Sequence, residues 1–166
     1  MRYAATFLVS VALLFSATDA LAQDPMTTAW RDAQRLADCT KALDAACAAP
    51  LYDAQSYRLL NPPEFNPAKD LARYFDSLRR RGVKFTFFET SRPEELFDDG
   101  RRVYTFVPYM RTMDDGDRVS HIVCYLIGLS ADEGETWTFV DAEGFTPEKI
   151  RIVVPSYDGQ HLPPTR

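Results

Sequence analysis

The sequence predicts an α+β fold in which N-terminal helices pack on a curved antiparallel sheet. Residues before Gly82 recur at helical spacing, whereas residues after it read as strands bounded by tight-turn signals. Residues 101–141 organise the second half: strand-like runs alternate with the acidic turns Asp114-Asp115-Gly116-Asp117 and Ala131-Asp132-Glu133-Gly134-Glu135. Apolar residues occupy both parities of these runs, so both faces of the sheet need cover.

The first 22 residues do not belong to that fold. Arg2, the apolar run 4–15 and the site Ala20-Leu21-Ala22 form the pattern of a secretory signal peptide cleaved after Ala22. The run is too short to cross a membrane, and no later one approaches the roughly 18 residues a span requires. An exported protein, periplasmic or secreted, is therefore expected. Residues 23–27 read as a leader, residues 28–155 as a single domain, and residues 156–166 as an irregular tail.

A formal net charge of −5 argues against nucleic acid as a partner. Arg79-Arg80-Arg81 is the one basic run, and it suits the negative end of a helix. Three cysteines remain after the leader, Cys39, Cys47 and Cys124. A Cys39–Cys47 disulfide fits an oxidising compartment. In one unbroken helix their Cα atoms would lie about 12 Å apart, so the bond requires a break between them. Cys124, between Val123 and Tyr125 in mid-strand, reads as a small buried hydrophobe.

Along the chain, Trp30, Ala33, Leu36, Ala37, Thr40 and Leu43 define an amphipathic helix from Thr28. A turn is expected at Asp44-Ala45-Ala46, then a weaker helix over 47–60 interrupted by Pro50. Residues 61–65 form a loop. Asn66 caps the next helix, Pro67 occupies its first turn, and Gly82 ends it. A strand over 83–90 would place Val83, Phe85 and Phe87 on one face, and a helical turn is expected at 93–97. Thr146 starts a last helix carrying Ile150 and Val153, which Pro155 stops.

Turn chemistry then sets an expected register. If Asp115-Gly116 makes a two-residue hairpin loop, Asp114 pairs with Asp117, Met110 with His121 and Phe106 with Tyr125. A second hairpin pairing Ser130 with Thr136 places Leu129 beside Trp137, Ile127 beside Phe139 and Tyr125 beside Asp141. One face then collects Tyr104, Phe106, Met110, His121, Tyr125, Trp137 and Phe139, the expected lining of a ligand pocket under the helices. His121, Tyr125 and Asp141 are the candidate catalytic groups there, as proton carrier, donor and base. Against this stands the reading that His121 and Tyr125 are core residues and Asp141 a turn cap. The opposite face, with Val107, Ile122, Leu126 and Val140, is covered by the tail or forms a homodimer seam. Asp114-Asp115-Gly116-Asp117 reads as a turn rather than a calcium loop, since it lacks the distal Glu of an EF-hand. No metal or other cofactor is expected.

Several strings in this order resemble the nuclear transport factor 2-like (cystatin-like) superfamily. They are Lys41-Ala42-Leu43-Asp44-Ala45, Arg81-Gly82-Val83-Lys84-Phe85, Val107-Pro108, Tyr125-Leu126-Ile127-Gly128-Leu129-Ser130, Trp137-Thr138-Phe139-Val140-Asp141 and Gly144-Phe145-Thr146-Pro147-Glu148-Lys149-Ile150. The resemblance spans about residues 30–155. It implies a sheet curled around a helical cover with a conical pocket between them, and it leaves activity open. Ser130-Ala131-Asp132-Glu133-Gly134-Glu135-Thr136-Trp137 also resembles the Asp-box hairpin of sialidase-type propellers. There the Ser and Asp bond turn backbone groups, which is a structural role; one box cannot supply the blades of a propeller. The expected function is a binding module for a small apolar or aromatic ligand. A cofactor-free enzyme in the same pocket, or an assembly module using the aliphatic face, are the alternatives.

Overall fold

A computed structural model of the chain describes residues 24–61 and 66–159. The expected signal peptide and its cleavage site, residues 62–65 of the loop and the end of the tail lie outside the described residues. The fold is α+β: helices precede a five-stranded antiparallel sheet that curves without closing into a barrel. The helices are α1 (Pro25–Lys41), α2 (Ala45–Ala48), α3 (Ala54–Leu60) and α4 (Pro67–Arg80). The strands are β1 (Lys84–Thr90), β2 (Phe97–Asp98), β3 (Val103–Asp114), β4 (Val119–Ser130) and β5 (Thr138–Asp141), followed by helix α5 (Pro147–Val153). The sheet order is β1-β3-β4-β5, and β2 also pairs with β3.

Helix α1 begins earlier than expected, because Asp24 is its cap. The Asp24 carboxylate accepts from Thr27 N at 3.2 Å, and Pro25 sits where a missing N–H costs nothing. Residues 25–27 are thus the first helical turn and not a leader. Arg92 also donates to Asp24, and Trp30 Nε1 donates to Thr90 O at 3.0 Å, which fixes the helix against the end of β1. At the other end the chain breaks at Leu43, with φ 54°, and Asp44 caps α2 through Cys47 N at 3.0 Å. This break brings the Cα atoms of Cys39 and Cys47 to 5.5 Å, and the two are disulfide-bonded. The Leu43 carbonyl accepts from Arg79 Nη2 at 2.6 Å, which ties the turn to α4.

Pro50 breaks the next helical stretch into α2, a 3-10 turn (Ala49–Leu51) and α3, which Asp53 caps through Ser56 N at 2.7 Å. Between them Tyr52 bridges Phe139 in parallel, and Asp53 N donates to Phe139 O at 2.9 Å. Helix α4 starts and stops as its punctuation predicts: Asn66 Oδ1 accepts from Lys69 N at 3.0 Å, and Gly82 takes φ 73°. No helical turn forms at 93–97; β2 begins there instead.

The sheet departs from expectation at three points. In β1 a bulge lies between Phe85 and Phe87, so Thr86 is extra and Phe88, not Phe87, turns to the core. The β3–β4 hairpin is wider than a two-residue loop: Asp114 pairs with Val119. Only Gly116 has positive φ in that loop, and the Asp114 and Asp115 carboxylates accept from Gly116, Asp117 and Arg118 N–H groups. A shift of two residues leaves every side chain on its expected face. The β4–β5 register is different. Leu129 pairs with Thr138 and Leu126 with Asp141, one residue away from expectation, and that exchanges the faces of β5.

The cause lies in the Ser130–Trp137 loop. Ser130 Oγ accepts from Gly134 N at 2.8 Å, and Asp132 Oδ1 accepts from Thr136 N at 2.9 Å. Glu133 and Gly134 take φ 58° and 95°. The loop therefore absorbs one residue more than the hairpin expected, and Trp137 turns toward α1. There its Nε1 is shared between Thr28 Oγ1 and Gly134 O, both at 3.0 Å.

Two hydrophobic layers result. On the helix side Ala33, Leu36 and Ala37 meet Phe88, Val107, Tyr109, Leu126, Trp137 and Phe139. On the other side α5 and the segment after it cover Tyr104, Phe106, Tyr125, Ile127, Leu129 and Val140, with Ile150, Val153, Val154 and Tyr157. Burying each large side chain contributes about 1.5–3 kcal/mol. The face expected to be covered only by the tail or a second copy is thus the main core, since Val107 and Leu126 lie under α1 and Ile122 packs at its edge. Val140 is on the opposite side. Cys124 is buried and unpaired as expected.

Candidate functional site

The structure does not bring the expected site residues together. His121 is exposed on the outer face, its Nδ1 3.0 Å from Thr112 Oγ1. Tyr104, Phe106 and Tyr125 are core residues beneath α5 and Tyr157, and Met110 is 46% exposed beyond them. Trp137 and Phe139 pack on the helix side of the sheet, because of the one-residue β5 register. None of these residues lines the cavity between the helices and the sheet. Asp141 goes with β5 to the helix side, away from His121 and Tyr125.

A cavity of about 280 Å³ opens there, between the helices and the sheet. That is near the lower end for small-molecule sites, roughly 300–1,000 Å³. Its roof is the first turns of α4, whose Pro67, Asp70, Leu71, Tyr74 and Phe75 fall on one helical stripe. Helix α4 rests on α2 and the 3-10 turn, so its N-terminal part overhangs the sheet. Thr40 of α1 and Phe85 of β1 close one side; Tyr52 and Tyr57 close another, held there by the pairing with Phe139. The floor is Arg111 of β3 with Asp141 and Glu143 at the end of β5.

That floor is a fixed polar network. Arg111 is 8% exposed, and it donates from Nη1 to Asp141 Oδ2 at 2.9 Å and from Nη2 to Glu143 Oε2. Tyr109 OH donates to Asp141 Oδ1 at 2.7 Å, and Asp141 N donates to Tyr57 OH at 3.3 Å. Arg111 Nε is buried without a hydrogen-bond partner. The guanidinium carbon lies 5.5 Å from the Tyr109 ring centroid and 6.0 Å from that of Phe88, so ring faces supply part of its environment. Burial works against the Arg111 charge, but Asp141, Tyr109 and Glu143 outweigh it and hold its pKa above the ordinary value.

The tyrosines move the same way. Burial, then the Asp141 charge, pushes the Tyr52 phenol up to about 12. Tyr57 is raised well above its ordinary value by burial, Tyr52 and Asp141, and Tyr109 is raised by burial and Asp141. These phenols are neutral donors and acceptors, and Asp141 has both oxygens engaged. The arrangement is a hydrogen-bonded, ion-paired floor beneath an aromatic cavity.

Sequence reasoning missed Tyr52, Tyr57, Tyr74, Arg111 and Glu143. One signal was available: Arg111 shares parity with Val107 and Tyr109, an unmatched charge on an otherwise apolar face. Asp141-Ala142-Glu143 supplies its counter-charges from the neighbouring end of β5. The fold and site together define a small α+β domain with an aromatic cavity between helices and sheet. The chain matches no family model, no curated protein and no solved structure. Among the described residues no helix is long and apolar enough to cross a membrane.

Proposed function

We propose that this protein binds a small, largely apolar molecule in the cavity between α4 and the sheet. The observation that carries the reading is a space of about 280 Å³ walled by Tyr52, Tyr57, Tyr74, Phe75 and Phe85 over one anchored charge network. Kinship with the nuclear transport factor 2-like superfamily belongs to the same reading, since that resemblance implies a pocket between a helical cover and a curved sheet. So does an exported location, which the Cys39–Cys47 bond supports. The test is native mass spectrometry of protein taken from its own compartment, together with a thermal-shift screen of small aromatic compounds. A bound small molecule, or stabilisation by members of the screen, is expected. Leu71→Trp, which fills the cavity from α4, should abolish either signal while the protein still melts cooperatively. Absence of both signals in the unaltered protein, or their persistence in Leu71→Trp, overturns the reading.

A further inference from the structure

We infer that the cavity selects a protonated amine carried on an apolar or aromatic body, with the ammonium set against Asp141 and Glu143. This rests on the binding reading above and names its ligand class. Charge is the first argument. Among the side chains lining the cavity, Arg111 is the cation, and it faces Asp70, Asp141 and Glu143. Asp70 is paired with Arg73 at 3.2 Å, a residue on the outer side of α4, so the excess negative charge lies at the Asp141–Glu143 end.

The second argument concerns who can reach Arg111. Both of its Nη atoms are turned to carboxylates, and its Nε is enclosed. A ligand carboxylate entering here would meet Asp141 and Glu143 before it met a free donor, and like charges in a partly desolvated site repel strongly. An ammonium meets the reverse. The Glu143 side chain is 45% exposed and retains acceptor capacity beyond its one bond to Arg111.

The walls are the third argument. The ring faces of Tyr52, Tyr57, Tyr74 and Phe85 attract a cation and cover an apolar body equally well. Tyr52 and Tyr57 meet edge to face, with centroids 5.4 Å apart, and form a corner against which such a body can pack. The raised phenol pKa values keep these rings uncharged, so no phenolate competes for the network.

The experiment titrates the purified protein calorimetrically with phenethylamine, phenethyl alcohol and phenylacetate, which share one body and differ in charge. The amine is expected to bind about tenfold tighter than the alcohol, an ion-pair contribution of roughly 1.4 kcal/mol, and phenylacetate weakest. Glu143→Gln should remove most of the preference for amine over alcohol, with near-ultraviolet circular dichroism confirming the fold. If the alcohol binds as well as the amine, or phenylacetate binds best, the amine inference falls and the binding reading stands. If no member of the series binds, the amine inference falls, and the binding reading is decided by the native-mass and thermal-shift test.

Discussion

At the scale of single residues the molecule turns on Arg111. It is nearly buried, and it is tolerated there because Asp141 and Glu143 meet two of its nitrogens while aromatic rings cover the rest. Removing it leaves two carboxylates facing each other at a cavity wall. Arg111→Met should therefore destabilise the protein by about 2–4 kcal/mol, less than a fully buried pair because Asp141 and Glu143 retain some solvent contact. Urea unfolding measures this, and adding Asp141→Asn should restore part of the loss. Tyr52 gives a pH test with a definite sign. Its phenol titrates near 12 in the folded chain and near 10 when unfolded, so the unfolded state releases its proton first. The stability it contributes is complete below about pH 10 and falls as pH rises toward 12. A Tyr52→Phe variant should lose less stability than the unaltered protein over that interval; an equal loss would mean that Tyr52 does not titrate late.

At the scale of elements, local chemistry was legible and register was not. Asn66, Pro67, Gly82 and Thr146 mark helix ends in sequence and do so in the fold, because each acts on its own neighbours. The cysteine pair also read correctly, since its geometry demanded a break and Leu43 supplies one. Denatured, unreduced protein should show one reactive thiol, Cys124, and Cys39→Ser should cost about 2–3 kcal/mol. The position of β5 could not be read the same way. It depends on how many residues the Ser130–Trp137 loop absorbs, and that is decided by contact with α1. A Cβ on Gly134 would lie 2.5 Å from the Pro25 Cβ, on a backbone already at φ 95°. Gly134→Ala should accordingly destabilise by at least about 2 kcal/mol and loosen the start of α1, which amide exchange at residues 27–31 would report. Unchanged exchange there would separate the hairpin from the helix.

Over the whole molecule, one sheet serves two cores, and this explains why the site was misplaced in the sequence. Both faces are apolar, so patterning alone cannot say which one the first helices cover. The answer needs the pairing of Tyr52 with Phe139, residues far apart in the chain. The same pairing assembles the cavity, whose walls come from residues up to Phe85 and whose floor comes from Arg111, Asp141 and Glu143. The second core depends on the C-terminal segment. Truncation before Thr146 should uncover Tyr104, Phe106, Ile127 and Val140 and produce a protein that binds hydrophobic dyes and self-associates; a monomeric, dye-silent product would show that α5 is dispensable. The Tyr52–Phe139 bridge has one more consequence. It lies on the outer edge of β5, where unpaired backbone groups would otherwise invite another strand. A bulkier guest could gain room by swinging the Tyr52 segment outward only by stripping that edge bare. In the proposed binding, the wall least free to yield to a larger guest is therefore the one that carries Tyr52 and Tyr57, because moving it would open β5 to intermolecular strand exchange.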